Sequence, residues 1–246
     1  MQKIRLYDAT KLDRKHMMFS NKQLLTLLLP IMVEQLLNSF MGMADTMMVS
    51  NVGSAAISAV SLVDSINVLV IQVFTALGAG AAIICSQYLG RGDRESSNEA
   101  ARQVTLSVLT ISTVLSVICV IFRGSLLHLI FGQVEKAVMD NSVIYFLLTA
   151  ISFPFIALFD AGGAFYRAAG NSRFPMMISV LSNGLNIAGN AVLIFGLKMG
   201  VEGAALSTLF SRISFSHYML LHQYFYCRKT NSWHQMMSYL PHFPTP

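Results

Sequence analysis

Six long apolar runs, separated by short polar or glycine-bearing breaks, dominate the pattern of this sequence. Each run meets or approaches the roughly 20 residues that a helix needs to cross the hydrocarbon core of a bilayer. Most of the runs are apolar on every side rather than along one stripe, which is typical of helices in lipid. The pattern therefore predicts six membrane-spanning helices, at about 24–49, 57–88, 104–122, 143–166, 174–195 and 204–226.

Composition supports the same interpretation. Hydrophobic residues make up 54% of the 246-residue chain and charged residues only 12%, whereas soluble domains carry about 25% charged residues. A soluble fold of this length would lack a polar shell, but a bilayer removes that requirement because lipid-facing residues can be as apolar as the core. We expect an all-α membrane protein, a six-transmembrane-helix bundle spanning 24–213.

The basic residues are distributed unequally among the breaks, which orients the predicted bundle. Thirteen lysines and arginines lie in the N-terminal segment 1–23, the breaks near 90–102 and 167–173, and the segment after 226. The other breaks hold three: Arg123, Lys136 and Lys198. Because basic residues accumulate on the cytoplasmic side, we expect a multi-pass protein of the cell membrane with both termini in the cytoplasm.

The C-terminal segment 214–246 differs in composition from the rest of the chain. Four of the six histidines and the only tryptophan follow Ser214. One interpretation is an aromatic anchor at the membrane interface followed by a tail. The other is an abnormal end, such as a frame-shifted or truncated gene product, and composition leaves both open.

Polar residues within the first predicted span are candidates for function, because ionisable groups in a bilayer are costly. Glu34 and Asp45 are eleven residues apart, which places them within about 20° on one helical face and about 16 Å apart along the axis. Asn38 shares that face. Pro30 precedes Glu34 by one turn and is expected to kink the helix, freeing backbone carbonyls for a cation.

The fifth predicted span carries a second polar face. Asn183, Asn186 and Asn190 recur at spacings of three and four residues, and Ser179 extends the stripe. Amides in lipid are expensive unless they face protein or water, so they either hold helices together through hydrogen bonds or have a functional role. We expect Asp64 to line a hydrated cavity or to lie at the membrane interface. Asp160 is interpreted as a helix-end cap or as a salt-bridge partner of Arg167.

Enzymatic signatures are missing from the sequence, which contains no phosphate-binding glycine loop, nucleophile elbow or His/Cys metal cluster. We therefore expect a protein that is not an enzyme and needs no cofactor. No nucleic-acid partner is expected.

Short motifs in a fixed order give the sequence a recognisable resemblance. They are Pro30, MADT at 43–46, QYLGRGD at 87–93, RAAGNSRFP at 167–175, Asn186, IFG at 194–196 and GVEGAA at 200–205. Together they resemble the multidrug and toxic compound extrusion (MATE) family from about Leu24 to Arg212. The resemblance implies one six-helix lobe of a two-lobe (6+6) antiporter that expels organic, often cationic, drugs or metabolites in exchange for Na⁺ or H⁺.

The resemblance also assigns roles to residues. It places Asp45 in cation coupling and Pro30 in bending of the first helix. The family's Asn is retained as Asn186, whereas a position that some members fill with Asp holds Asn190. An amide cannot titrate near neutral pH, so Asp45 would carry the charge change alone or together with Glu34, or a sodium ion near Asp45 would bind with the amide oxygens as neutral ligands.

Only one lobe is present, and the family pattern stops near Arg212, which favours a truncated or frame-shifted product for the segment after Ser214. Transport would then need the missing C-terminal lobe or a second copy. Two alternatives stay open: a non-transporting membrane fragment or assembly partner, and a lipid-linked oligosaccharide flippase. Flippases usually line their cavity with several cations, and these spans hold almost none besides Arg212.

Overall fold

A computed structural model describes residues 21–229, and within that range the chain is helical with no strand. The order is α1 (Asn21–Val49), α2 (Ser54–Gly90), α3 (Arg94–Ile121), α4 (Arg123–Phe131), α5 (Lys136–Ile151), α6 (Phe153–Ala168), α7 (Arg173–Asn190), a π-helical turn (Ala191–Gly196) and α8 (Gly200–Lys229). The prediction of an all-α fold is confirmed.

Length and apolar composition allow four of the described helices to cross a membrane: α1, α2, α3 from Glu95, and α7 continued through the π-helical turn to Gly196. The bent pair α5 and α6 makes a fifth if the two helices form one span. α8 is 30 residues long but carries several serines and histidines and Arg212. The membrane bundle is confirmed, and a sixth span along α8 stays a prediction.

Two helices differ from the predicted spans. α3 begins at Arg94 rather than near Val104 because the Asp93 side chain accepts a hydrogen bond from the Ser96 backbone N–H at 3.1 Å, the usual form of an N-cap. An acidic residue, Glu95, lies in the first turn, which complements the helix dipole. The stretch between the third and fourth predicted spans contains α4 and the start of α5. Apolar content alone therefore predicted neither the helix α4 nor the residue at which α5 begins.

The predicted fourth span is broken at Ser152, where α5 and α6 meet at 44°. The Ser152 hydroxyl donates to the Thr149 carbonyl at 2.6 Å, and Pro154 lies in the first turn of α6. Proline lacks the backbone N–H that a continuous helix would need there, but it is tolerated in a first turn. The bend therefore follows from local sequence, and it brings Ser152 into the interior.

The main core lies where α2, α5 and α6 pack together. Phe74 of α2 and Phe153 of α6 are fully buried and meet edge to face, with ring centroids 6.2 Å apart. α1 lies at the margin and packs mostly against α7, with fewer contacts to α2. α1 therefore meets the rest of the bundle mainly along α7.

α8 continues through Ser214 to Lys229 without a break. Met219 is fully buried in a second cluster with Phe165 and Tyr166, and Tyr166 Oη lies 2.6 Å from His222 Nδ1. The change in composition after Ser214 therefore coincides with no helix boundary. Residues 1–20 of the predicted N-terminal segment, and 230–246 of the predicted tail, lie outside the described residues.

Candidate functional site

The two polar faces predicted on the first and fifth spans meet each other across the α1–α7 interface. In the first layer of contacts, within the body of both helices, Asn38 Oδ1 accepts hydrogen bonds from the Ser179 hydroxyl at 3.1 Å and from the Asn183 amide at 3.4 Å. Asn38 remains exposed in this lobe while Ser179 is buried. At this position the polar stripe of α7 therefore forms hydrogen bonds between helices, and a functional role of the amides stays a prediction.

Asp45, Asn186 and Asn190 form a second layer of polar contacts, towards the C-terminal ends of α1 and α7. We call this layer the Asp45 level. Asn190 Nδ2 donates to Asp45 Oδ1 at 2.5 Å. When the Asn186 amide is turned so that its oxygen accepts from Thr208 Oγ1 at 2.9 Å, its nitrogen lies 3.0 Å from the same carboxylate oxygen. Asp45, Asn186 and Asn190 are thus brought together, a pairing of the two predicted faces that the spacing within each helix did not specify.

Burial distinguishes this level from the one at Asn38. Asn186 and Asn190 are 4% and 0% exposed, and the Asn190 Oδ1 atom has no hydrogen-bond partner. A buried amide oxygen without a partner costs free energy, since it has lost its water and gained nothing. An amide oxygen of this kind can accept a hydrogen bond or ligate a hard cation.

α8 supplies a member of the site that the sequence did not reveal. Thr208 contacts the Asn186 amide through its hydroxyl and its backbone N–H, at 2.9 and 3.2 Å. The neighbouring Ser207 hydroxyl donates to the Asn186 carbonyl at 2.8 Å. Hydroxyls in apolar helices usually bond their own preceding turn, as Thr208 also does with Ala204, so no pattern within the sixth run marks Thr208.

Glu34 lies apart from Asp45, near the opposite end of the α1 polar face. Its carboxylate is 3.5 Å from the Arg167 guanidinium at the end of α6, and its side chain is 6% exposed. Asp160, one of the two weaker candidates, instead accepts a hydrogen bond from the Thr75 hydroxyl at 3.3 Å. Glu34 therefore ties α1 to α6, and a share in cation coupling stays a prediction.

Pro30 lies inside α1, buried, one turn before Glu34. Its ring removes the N–H that would otherwise bond the carbonyl of Thr26. α1 remains helical on both sides of the proline. Bending of α1 at this point stays a prediction.

The Asp45 level offers a carboxylate, amide oxygens and a hydroxyl oxygen, which are the ligands of hard cations such as Na⁺. Among residues 21–229, no group of three or more His, Cys, Asp or Glu could hold a metal ion. With one acidic member, the site is matched to one positive charge. A bare carboxylate in a low-dielectric interior is costly, and binding one cation or one proton neutralises it.

Comparisons with known proteins agree on one family for this chain. The MatE family model matches residues 30–192. The chain is 32% identical over 194 residues to the uncharacterized transporter YisQ of Bacillus subtilis, covering 77% of this chain and 42% of that protein. It is also 32% identical over 199 residues to the probable multidrug resistance protein NorM of Thermotoga maritima, covering 78% and 42%.

The fold agrees with solved structures as well. A crystal structure of MATE in the bent conformation superposes with a TM-score of 0.76 at 24% identity, covering 80% of this chain and 44% of that one. The chain spans less than half the length of the curated relatives it matches. On the family match and the paired polar helices together, the chain belongs to the MATE family of membrane transporters and corresponds to one half of its relatives.

Proposed function

We propose that this lobe is half of a secondary antiporter that exports organic, often cationic, compounds in exchange for Na⁺ or H⁺. The observation that carries the proposal is the Asp45 level of the α1–α7 interface, where one carboxylate lies beside buried amides and an unpartnered amide oxygen. The names of relatives, which include a probable multidrug resistance protein, support the assignment to efflux.

The coupling ion would act by changing the charge at Asp45. Without the ion, the Asn190 and Asn186 amides donate to the carboxylate and hold α1 against α7. A bound Na⁺ would require amide oxygens rather than nitrogens to face it, and a bound proton would remove the charge that strengthens the hydrogen bonds to the carboxylate. Either ion weakens the present hydrogen bonds, so ion binding and the packing of α1 are linked.

Exchange follows if substrate and ion favour different packings of α1. The two ligands need no shared atoms, because each shifts the same equilibrium through its differential affinity. Asn190 is an amide and carries no charge, so Asp45 alone changes charge at this level. The proposed cycle moves one monovalent cation through the Asp45 level for each repacking.

Alternating access in secondary transporters moves one repeat against another. The proposed partner of this lobe is therefore the C-terminal half that its relatives possess, or a second copy of this chain. The location that goes with the proposal is the cell membrane, with both termini of the chain on the cytoplasmic side.

Flux through reconstituted vesicles tests the proposal. The chain is purified, inserted in liposomes, and assayed for ethidium movement driven by an imposed Na⁺ or proton gradient. We expect ion-dependent flux from the native chain and its loss in Asp45→Asn, which keeps the shape and removes the charge. Asp140→Asn, the same change at an exposed residue of α5, is the matched control and should transport normally.

Three outcomes decide the matter. Flux that disappears only in Asp45→Asn supports the proposal. Equal flux in both variants contradicts the role of Asp45. No gradient-dependent flux from the native chain contradicts antiport by this chain and favours the non-transporting alternative.

A further inference from the structure

An ion pair joins α1 to α6 at the end of the α1 polar face that lies away from the Asp45 level. Arg167 Nη1 is 3.5 Å from Glu34 Oε2, and the two side chains are 26% and 6% exposed. The other ion pair among residues 21–229, between Arg102 and Glu99, lies within α3, and its side chains are 72% and 48% exposed. In the described part of the chain, the Glu34–Arg167 pair is therefore the one ion pair that connects two helices.

The Glu34 carboxylate depends on this partner. Within the described residues, Arg167 is the only side chain that bonds or pairs with it. Asp64 differs, because it accepts hydrogen bonds from the Tyr145 hydroxyl and the Asn67 amide, each at 3.3 Å. Removing the single partner of a buried charge is strongly destabilising, since the charge is left uncompensated. Glu34 therefore favours the position of α1 from which it reaches Arg167.

Gly163 determines where the Arg167 guanidinium lies. Arg167 is in the last turn of α6, from which a basic side chain in a membrane commonly extends to water. Its guanidinium instead lies back over Gly163, one turn earlier, where an added Cβ would be 3.1 Å from Nη1. Asp160 does not hold it there, because that carboxylate bonds Thr75 and lies beyond 4.0 Å from Arg167. The missing side chain of Gly163 therefore leaves room for the guanidinium that meets Glu34.

Little else connects α1 with α6. α1 packs mainly against α7, and its further contacts are chiefly with α2 and α8. From Glu34 to Asp45, α1 is an unbroken helix with a rise of about 16 Å. The backbone bond that Pro30 removes lies on the other side of Glu34. A shift of α1 at Asp45 therefore moves Glu34 with it and pulls on the ion pair.

We propose that Arg167, lying over Gly163, is a positioning residue for ion coupling. Through Glu34 it holds α1 in the packing in which Asp45 bonds the amides of α7. The inference rests on the proposed function, because it identifies the contact that opposes the repacking of α1 on ion binding. Ion binding at Asp45 and opening of the Glu34–Arg167 pair then favour each other, since coupling between two sites is reciprocal.

The sign of the effect on ion affinity distinguishes positioning from general support of the fold. Loss of the pair increases the population with repacked α1, which is the population that binds the ion, so the apparent Kd falls. A residue that only supported the fold would leave ion binding unchanged or weaker. We expect Arg167→Met and Glu34→Gln each to tighten ion binding roughly fivefold or more. The double variant should do no more than either single variant.

Ion affinity is measured as the midpoint of the rise in melting temperature when NaCl is added at constant pH, or acid at constant salt. Only the part of the response that is lost in Asp45→Asn is counted. Glu34→Gln decides the acid titration, because it leaves no carboxyl at that position to take up a proton. Arg167→Lys keeps the charge and should bind nearly as the native chain does. Arg102→Met removes only the ion pair within α3 and should have no effect.

A matched pair of glycine variants tests the position of the guanidinium with both charges in place. Gly163→Ala crowds Arg167 Nη1 and should tighten ion binding in the same direction as Arg167→Met, but by less. Gly80→Ala is the control, because a Cβ added there would meet no atom within 4 Å. Ion binding by this variant should equal that of the native chain.

Distances between spin labels test the position of α1 without any ion. One label replaces Leu36 of α1 and the other Leu106 of α3, two exposed positions, in a chain whose three cysteines are changed to alanine. α3 packs against α6 and serves as the fixed reference. The native chain should give one main distance, and Arg167→Met should add a second population at a different distance. Arg102→Met should leave the distribution unchanged.

The two proposals fail separately in these experiments. A native chain without an ion response that Asp45→Asn removes contradicts the proposed function, and the spin-label distances then decide alone whether Arg167 holds α1. Unchanged distances in Arg167→Met, or ion binding that is unchanged or weaker in Glu34→Gln, overturn the role of Arg167. If Arg167→Met does not insert in the membrane, Glu34→Gln provides both measurements.

Discussion

The approach of α7 to α8 beside the Asp45 level depends on a glycine, and filling it should loosen the site. A Cβ at Gly189 would lie 2.3 Å from the Ser207 hydroxyl oxygen and 3.2 Å from its Cβ. Gly189→Ala must therefore push the helices apart or rotate Ser207 away from the Asn186 carbonyl that it bonds at 2.8 Å.

The magnitude follows from three contributions. Overpacking costs about 1–3 kcal/mol, and the lost hydrogen bond costs about 0.5–1.5 kcal/mol. Replacing a helical glycine by alanine returns about 1 kcal/mol. We expect Gly189→Ala to lower the free energy of unfolding by a net of about 0.5–3.5 kcal/mol.

The measurement is unfolding in mixed micelles with increasing dodecyl sulfate, followed by circular dichroism. Gly184→Ala, in the same helix α7, is the matched control because a Cβ added there would meet no atom within 4 Å. This variant should be neutral or stabilising. Gly189→Ala combined with Ser207→Ala should recover part of the loss, since the closest clash is removed. Equal stability of the two glycine variants would refute the close approach of α7 and α8.

Other contacts lead to further expectations. Phe153→Ala empties a fully buried position in the main core and should lower the free energy of unfolding by about 3–5 kcal/mol, measured in the same micelles; a loss below 1 kcal/mol would contradict that packing. Glu34→Gln and Arg167→Met should be non-additive in a double-mutant cycle, because each removes the same 3.5 Å ion pair, and strict additivity would show that the pair contributes nothing. Thr208→Val should weaken ion binding at least tenfold without affecting insertion, whereas Thr110→Val, which loses only a bond to its own helix, should bind as the native chain does.

Helical spacing was sufficient to predict the two polar faces. Asn38 and Asp45 lie on one side of α1 because of the helical repeat, and Asn186 and Asn190 lie on one side of α7 for the same reason. The pairing of these faces was not contained in either pattern. It depends on α1 packing on α7 rather than on α2, which is a property of the tertiary structure.

Residues outside those faces were harder to predict. Thr208 and Ser152 are hydroxyls in apolar surroundings, where such residues commonly bond their own helix, and their contacts to Asn186 and Arg212 cross between helices. Local spacing gives no information about such contacts. Helical spacing singled out Asp45, Asn186 and Asn190 and the family resemblance gave them roles, whereas the surroundings of Arg212 required coordinates.

The start of α3 illustrates a different limit. Hydropathy predicted a helix from about 104, because the preceding ten residues are largely polar. The capping signal of Asp93 and the acidic Glu95 extend that helix outwards to Arg94. Local capping chemistry, rather than apolar content, sets the boundary there.

The central claim is that Asp45, with the amides around it, binds the coupling ion. Its most direct test is the melting temperature of the purified chain on adding Na⁺ at constant pH and on lowering pH at constant salt, since a ligand that binds only the folded state raises its stability. The native chain and Asp140→Asn should respond equally to at least one of the two ions, and Asp45→Asn should respond to neither. An Asp45→Asn chain that responds as strongly as the native chain would place the ion elsewhere and contradict the account.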